Sequence, residues 1–138
     1  MGFCLYNNIA VAAAHALERY GLERVAIVDF DVHHGNGTED IVTGDERILF
    51  CSTFQHPFYP HTGHASSAAN LVNVPLAAGS GSVEFRAAVE QHWLPRLRDF
   101  APQWYTSAEA GLQAMPQFEF DVVVTDLKMP GIDGIHVL

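Results

Sequence analysis

The chain has 138 residues, of which 49% are hydrophobic and 17% are charged, so it is long enough for a packed core and is not expected to be disordered. Its formal net charge is −9, with only 7 Lys and Arg residues, which argues against direct binding to nucleic acid or to an anionic membrane. No apolar run is long enough to span a bilayer and no signal peptide is recognisable, so a cytoplasmic protein is expected.

Helices and strands alternate along the first hundred residues. A capping Asn and an Ala-rich run predict a helix over about residues 8–20, ended by Gly21. Short apolar runs rich in β-branched residues predict buried strands at 25–30, 47–52 and 71–76. This alternation predicts an α/β fold with a parallel sheet and flanking helices.

The segments between these strands are less regular. A short helical turn is expected at 39–42, and prolines, aromatics and histidines without periodicity predict a loop at 53–63. Ser82 is expected to cap a further helix, which Pro95 should kink or restart.

The ten residues beginning at Asp29 read Asp-Phe-Asp-Val-His-His-Gly-Asn-Gly-Thr and follow the first predicted strand. If the strand continues, Asp29, Asp31 and His33 project to one side, and Gly35 and Gly37 allow the chain to bend so that the three converge. Two carboxylates and an imidazole at a strand end are typical of a metal site. Because Asp and His are also common there as solvated turn formers, the chemistry alone leaves both interpretations open.

Four segments occur in an order that carries a family resemblance. They are Gly-Phe-Cys-Leu-Tyr-Asn-Asn at 2–8, the ten residues at 29–38, Ser-Thr-Phe-Gln at 52–55 with Pro-Phe-Tyr-Pro-His-Thr-Gly at 57–63, and Asn-Val-Pro-Leu at 73–76. Together they resemble the zinc-dependent histone deacetylase family, nearest its class II and acetylpolyamine amidohydrolase branch, over residues 1–103. The resemblance implies part of an arginase/deacetylase-like fold and Zn²⁺-dependent hydrolysis of acetyl-lysine or acetylpolyamine amides.

The same resemblance implies roles for individual residues. Asp31 and His33 match two of three zinc ligands, and Asp29 matches a carboxylate that polarises a catalytic His. Asn36 matches a residue that orients the other catalytic His. The remaining implied roles are an acyl-substrate tunnel with Phe3, Phe58 and Tyr59, and a K⁺ site with Asp29, Asp31, His33 and Ser52.

Parts of the family pattern are not found in this sequence. They are a His pair that precedes the Gly-Phe-Cys segment, a third zinc ligand expected after about Pro102, and a Gly-rich segment with the Tyr that stabilises the oxyanion. Phe54, His61 and Ser67 stand where the family usually has His, Gly and Glu. The expectation is an incomplete deacetylase domain that is inactive alone, with Met1 an internal methionine of the family pattern.

Residues 104–138 carry a second resemblance. Ser107 is expected to cap a helix, a strand is predicted at 121–125, and Asp126 precedes Leu-Lys-Met-Pro-Gly-Ile-Asp-Gly. This pattern resembles part of a flavodoxin-like receiver domain of two-component response regulators, with Asp126 at the phospho-acceptor position. It implies Mg²⁺ and a sensor histidine kinase, although the acidic pair and the later Thr/Ser and Lys of receivers are not found. An isolated Asp before a Pro-Gly turn is also ordinary turn chemistry.

The two resemblances meet near residues 101–105 without a recognisable linker. Three hypotheses follow: a zinc amidohydrolase, a phospho-acceptor signalling protein, and a truncated or chimeric product without activity of its own. A structural hypothesis places strand 121–126 where the missing deacetylase strand would lie, which would bring Asp126 near Asp31 and His33.

Overall fold

The computed structural model of this chain describes residues 5–100. In chain order, its elements are α1 (Asn8–Tyr20), β1 (Val25–Asp29), α2 (Asn36–Val42), β2 (Ile48–Gln55), β3 (Leu71–Leu76), α3 (Ser82–Ala88), a π-helical turn (Val89–Trp93) and α4 (Leu94–Phe100). The predicted α/β fold with a parallel sheet and flanking helices is confirmed. The receiver-like segment at 104–138 and the boundary at residue 103 lie outside the described residues. Within residues 5–100, no helix is both long and apolar enough to cross a membrane.

The three strands form one parallel sheet in the order β1-β2-β3. Val25 of β1 is paired with Ile48 of β2, and Phe50 of β2 is paired with Leu71 of β3. The central strand β2 is buried along almost its whole length. All three strands therefore end at one edge of the sheet, where α/β proteins usually bind their ligands.

Helices cover both faces of this sheet. On one face α1 and α2 enclose a core of buried side chains that comprises Ala13, Leu17, Val25, Ile27, Val42, Ile48, Phe50 and Leu71. On the other face the helical layer of α3, the π-helical turn and α4 encloses a core of Leu49, Cys51, Val72 and Trp93, with Ala26, Val28, Val74, Val89, Leu97 and Phe100 packed around it. The alternation of neighbouring strand residues between the two cores explains why the strands read as continuous apolar runs.

The first predicted helix is confirmed at both ends. The Asn7 side chain accepts a hydrogen bond from the backbone N–H of Ala10 at 3.0 Å, which satisfies one of the free donors of the first turn. Gly21 ends the helix with φ of 69°, a left-handed conformation that favours glycine. Local sequence signals were sufficient here because both caps are made by neighbouring residues.

Several predicted boundaries were wrong: β2 starts at Ile48 instead of residue 47, and Gly81 instead of Ser82 is the N-cap of α3. Three further differences lie close to the candidate site. The strand predicted to end at Phe30 ends at Asp29, and the helical turn predicted to start at Glu39 is a helix that starts at Asn36. The strand predicted to end at Ser52 continues to Gln55, because its last residues pair with β3 as far as Leu76. Pairing between strands that are distant in sequence therefore overrides the loop-like composition of this stretch.

The helix predicted after Ser82 is interrupted before the proline. A π-helical turn at Val89–Trp93 separates α3 from α4, and Pro95 is the second residue of α4. Pro95 has no backbone N–H, so it cannot continue the hydrogen-bond ladder of the preceding helix. Across this wider turn the rings of Phe85 and Trp93 meet edge-on, with their centroids 6.1 Å apart.

Asn70 fastens the segment before β3 to the turn between α2 and β2. Its buried amide nitrogen donates to the carbonyls of Val42 at 2.7 Å and Ile48 at 3.0 Å, while its Oδ1 accepts the N–H of Gly44 at 3.0 Å. We expect Asn70→Asp to lower the free energy of unfolding by about 3 kcal/mol, because a carboxylate would face two carbonyl oxygens. Denaturant titration measures this change. The exposed Asn8→Asp is the matched control, and an equal loss in both variants would contradict the assignment.

Candidate metal centre

The loop after β1 turns sharply because two carboxylates each accept a hydrogen bond from the backbone N–H two residues further along the chain. Asp29 Oδ1 accepts the N–H of Asp31 at 3.1 Å, and Asp31 Oδ1 accepts the N–H of His33 at 2.8 Å. The strand does not continue through these residues, since β1 ends at Asp29. The predicted bend is present, but these Asp-centred turns make it before the glycines are reached.

The curl brings Asp31 and His33 together. Asp31 Oδ1 lies 3.0 Å from His33 Nδ1, and the two side chains are 61% and 38% exposed. The backbone hydrogen bond from His33 lowers the pKa of Asp31, so this carboxyl stays anionic. Two donors on one tetrahedral zinc lie about 3.3 Å apart, so the pair needs only a small separation to share a metal. Among residues 5–100, no group of three His, Cys, Asp or Glu side chains is placed to hold a metal.

Asp29 lies at the inner side of this pair, next to Ser52. The two residues are paired in the sheet register, so their side chains project to the same face. Burial raises the pKa of Asp29. The Ser52 hydroxyl is fully buried and has no hydrogen-bond partner within the described part of the chain. This end of the sheet thus holds a carboxylate and an unsatisfied oxygen side by side.

Close packing beneath the loop requires glycine at position 35. A Cβ atom on Gly35 would lie 2.5 Å from Asp29 Oδ2 and 3.3 Å from Phe50 Cζ. Gly35 also precedes α2 and accepts the N–H of Glu39 at 3.0 Å. Asn36, the first residue of α2, has a buried Oδ1 with no partner among residues 5–100. The sequence therefore places the predicted relay residue beside the loop, with an acceptor atom that is free in this part of the chain.

We expect Gly35→Ala to impair zinc binding, because the new methyl group would displace the Asp29 carboxylate that shapes the loop. Zinc affinity should fall by about 10–100-fold, the range seen when supporting partners of a metal site are lost. Gly37→Ala is the matched control, since the nearest atom to its Cβ would be Asn7 Nδ2 at 3.9 Å. Competition titration with a chelator measures both affinities. Equal affinities in the two variants would contradict this role of Gly35.

A buried histidine, His34, packs beneath the loop that holds Asp31 and His33. It was not predicted from the sequence as a site residue. His34 is 1% exposed, and its ring lies 4.5 Å from that of Phe54. Its Nε2 is 3.0 Å from Glu39 Oε2, a close contact without hydrogen-bond alignment. Burial lowers the pKa of His34, against the opposing effect of Glu39. A Cβ on Gly63 would lie 2.5 Å from the same Nε2, so the imidazole packs directly on the glycine backbone.

Glu39 joins three segments around this histidine. Its Oε1 accepts a hydrogen bond from Ser66 Oγ at 2.5 Å, and its Oε2 accepts one from Asn73 Nδ2. Asn73 Nδ2 also donates to the carbonyl of Gly63 at 3.0 Å. The carboxylate of α2 thus ties β3 and the loop before it to His34. A second His after the proposed ligand was the only sequence signal, and it gave no hint of partners 27 and 34 residues from Glu39.

The aromatic residues predicted to line an acyl-substrate tunnel lie against the proposed ligand. The ring of Phe58 stacks on that of His33 with centroids 5.1 Å apart and an angle of 25°, and Tyr59 meets it edge-on at 6.4 Å. Both aromatic side chains remain partly exposed. Phe3, the third predicted tunnel residue, lies outside the described residues. An open groove of about 340 Å³ runs from Asp31 past the ends of β2 and β3 to Phe85.

Comparisons with known proteins identify the family. The sequence pattern of the histone deacetylase domain matches residues 1–116. The chain therefore belongs to the histone deacetylase family. The matched range runs beyond the predicted boundary at residue 103, and this match lends no support to a receiver segment. That boundary and the phospho-acceptor role of Asp126 remain predictions from the sequence.

Individual relatives agree with this membership. The chain is 51% identical over 105 residues to an uncharacterised protein of Synechocystis, covering 74% of this chain and 34% of that protein. It is 44% identical over 108 residues to the chloroplastic histone deacetylase 14 of Arabidopsis thaliana, covering 74% of this chain and 26% of the relative. The chain thus spans about a third or less of the length of these relatives.

Solved structures agree on the fold. The crystal structure of the HDA15 HD domain superposes with a TM-score of 0.66 at 42% identity, covering 72% of this chain and 31% of that one. An acetylpolyamine aminohydrolase from Burkholderia pseudomallei superposes with a TM-score of 0.62 at 37% identity. The match covers 72% of this chain and 31% of that one. The parallel sheet and its flanking helices are therefore those of the deacetylase fold.

Proposed function

We propose that this chain supplies part of a zinc site that hydrolyses acetyl-lysine or acetylpolyamine amides, with Asp31 Oδ1 and His33 Nδ1 as metal ligands. The observation that carries the proposal is the 3.0 Å pair formed by these two atoms at the carboxyl edge of the sheet. The pair lies within the range matched by the histone deacetylase domain. An anionic oxygen and an imidazole nitrogen are suitable donors for Zn²⁺.

Zinc in such a site polarises an amide carbonyl and activates a water molecule. Several residues of this chain are placed to support zinc binding and proton transfer at this site. Asp31 stays ionised because the His33 backbone N–H lowers its pKa. Phe58 stacks on the His33 ring, which favours one orientation of Nδ1. Asn36 presents a buried oxygen that is an available acceptor for a catalytic imidazole N–H.

The surroundings of the pair support two related classes of substrate. Phe58 and Tyr59 offer partly exposed aromatic surface for the aliphatic chain of an acyl-lysine or acylpolyamine. The net charge of −9 suits a cationic substrate. Histone deacetylases and an acetylpolyamine aminohydrolase are among the similar proteins, which supports these two amide classes.

A K⁺ ion beside the zinc site is the second part of this proposal. Asp29 and Ser52 lie opposite each other at the ends of β1 and β2, and the Ser52 hydroxyl lacks a partner among residues 5–100. Oxygen donors of this kind suit a hard cation. Such an ion would offset the cost of burying Asp29.

The test is zinc retention together with amide hydrolysis. We expect purified protein to retain zinc through Asp31 and His33, and any hydrolysis of an acetyl-lysine peptide or of acetylspermidine to be zinc-dependent and lost in Asp31→Asn. The exposed Asp40→Asn on α2 is the control for removing a carboxylate elsewhere. Failure to retain zinc together with no turnover of either amide rejects the proposal.

The signalling alternative rests on the sequence pattern around Asp126 alone. Its Mg²⁺ and sensor kinase have no support from residues 5–100 or from the similar proteins. Labelling by acetyl phosphate that is lost in Asp126→Asn is the measurement that would establish it.

A further inference from the structure

The loop between β2 and β3 carries three histidines that the proposed zinc site does not use. His56 directly follows β2 and is half-buried, whereas His61 and His64 are exposed. The rings of His56 and His64 stack, with centroids 4.2 Å apart and an angle of 24° between them. The stack closes the base of the short loop that carries Phe58 and Tyr59. The three histidines thus form one group, the histidine rim.

The rim lies beside the candidate metal centre and is fixed to it through the backbone. The His56 N–H donates to the carbonyl of Leu76 at 2.8 Å, and the His61 N–H donates to the carbonyl of Phe58 at 2.8 Å. Phe58 in turn stacks on the ring of His33, one of the proposed zinc ligands. A substrate whose amide reaches these ligands therefore passes Phe58 and leaves the rest of its length next to the rim.

The rim is the main source of charge in its part of the chain. Residues 48–83 contain no Asp, Glu, Lys or Arg, so the net charge of −9 is carried elsewhere in the sequence. The three rim histidines are the only histidines in that stretch. Imidazole side chains typically change charge between about pH 8 and pH 5. The rim therefore changes from neutral towards cationic as the pH falls through this range.

Among residues 5–100, the carboxylates of the adjoining elements are already engaged. Asp29 is half-buried, and Asp31 is a proposed zinc ligand. Glu39 on α2 accepts two side-chain hydrogen bonds and lies 3.0 Å from His34 Nε2. Glu84 accepts a backbone N–H at 2.7 Å at the start of α3. None of these groups offers the rim an unengaged carboxylate for an ammonium ion.

This distribution of charge separates the two substrate classes proposed above. An acetylated polyamine keeps ammonium groups beyond its amide, and a cationic rim repels them. An acetyl-lysine in a peptide has an uncharged amide backbone beyond its side chain, so the neighbouring residues of the peptide set the local charge. Carboxylates at those positions pair with protonated imidazoles.

We propose that the histidine rim selects acetyl-lysine in acidic peptides over acetylated polyamines and lysine-rich peptides. This inference rests on the proposed amidohydrolase function and chooses between its two amide classes. His61 and His64 are then specificity-determining residues, since both are exposed on the loop that holds Phe58 against His33.

Binding of three probes to the full, zinc-loaded chain at about pH 6 and about pH 8 tests this selection. The probes are acetylspermidine and two acetyl-lysine peptides of equal length, with aspartate or with lysine beside the acetyl-lysine. At the lower pH we expect the aspartate peptide to bind about fivefold tighter than either other probe, as for one exposed charge pair. The preference should shrink at the higher pH and at high salt. Isothermal titration measures the affinities.

A double variant, His61→Asn with His64→Gln, removes the two exposed imidazoles and leaves the proposed zinc ligands in place. Asparagine tolerates the φ of 63° at position 61, and both side chains are exposed, so the fold should be retained. This variant should bind the three probes with similar affinities at about pH 6. His92→Gln, an exposed histidine in the π-helical turn, is the matched control and should keep the preference.

The contrary outcomes separate this inference from the proposed function. Tighter binding of acetylspermidine or of the lysine peptide at about pH 6 would overturn the selection, as would a preference that survives the double variant. Equal binding of all three probes removes the selection and leaves the amidohydrolase proposal in place. Failure of every probe to bind the zinc-loaded chain rejects both.

Discussion

Gly63→Ala is expected to lower the free energy of unfolding by about 2–5 kcal/mol. Gly63 has φ of 85°, a region that costs an alanine about 1–2 kcal/mol. Its Cβ would also lie 2.5–2.6 Å from three atoms of the His34 ring. His34 is buried against Phe54 and held near Glu39, so the ring cannot move aside without breaking that contact. Denaturant titration of the purified variant measures the loss.

Gly79→Ala separates the two causes of this loss. Gly79 has φ of 86°, almost the same conformation, but a Cβ there would have no atom within 4 Å. We therefore expect Gly79→Ala to cost only the conformational share, about 1–2 kcal/mol. A Gly63→Ala variant no less stable than Gly79→Ala would contradict the close packing of Gly63 on His34.

His33→Ala is expected to lower zinc affinity by more than about 100-fold, which exceeds the loss of a supporting partner, because it removes a donor directly. The same substitution removes the ring on which Phe58 stacks but no core contact, since the His33 side chain is 38% exposed. The free energy of unfolding without zinc should therefore change little. Isothermal titration with Zn²⁺, with denaturation of the metal-free protein beside it, separates the two quantities.

His92→Ala provides the comparison for this variant. His92 is exposed in the π-helical turn, which packs on the face of the sheet opposite α1 and α2. Its removal should leave zinc affinity unchanged. A similar weakening in both variants would mean that zinc binds by surface histidines in general, and an unchanged affinity in His33→Ala would exclude His33 as a ligand.

The fold was predictable from local patterns where neighbouring residues make the structure. The cap at Asn7, the left-handed Gly21 and the apolar run of β1 each depend on a few adjacent residues, and their positions were correct or nearly so. The extension of β2 to Gln55 was missed because its cause is the register with β3, about 20 residues away. Composition favoured a loop, and strand pairing overrode it.

Sequence reasoning placed Asp31 and His33 together in the proposed metal site, but it did not predict the geometry of the loop that holds them. Asp31 and His33 were placed together by assuming a continued strand that glycines later bend, whereas the Asp29 and Asp31 carboxylates make the bend themselves. Gly35 does not make this bend. Its lack of a side chain allows the backbone to pass close to Asp29 Oδ2. Periodicity describes backbone direction, and it contains no information on which side chain will bind which N–H.

The support beneath the loop could not be predicted from one sequence. Glu39, Ser66 and Asn73 are ordinary polar residues in unrelated segments, and only the fold brings them around His34. A buried cluster of this kind matters because each polar group removed from water needs a partner. Its members therefore restrict how the loop before β3 can sit against the proposed metal site.

X-ray absorption at the zinc edge of the full, zinc-loaded chain tests the central claim most directly. If Asp31 and His33 are the ligands, the first shell contains only nitrogen and oxygen at about 2.0–2.1 Å, with the outer-shell scattering of an imidazole that disappears in His33→Ala. A sulfur shell at about 2.3 Å, or imidazole scattering unchanged in His33→Ala, would contradict the assignment of this loop as the metal site.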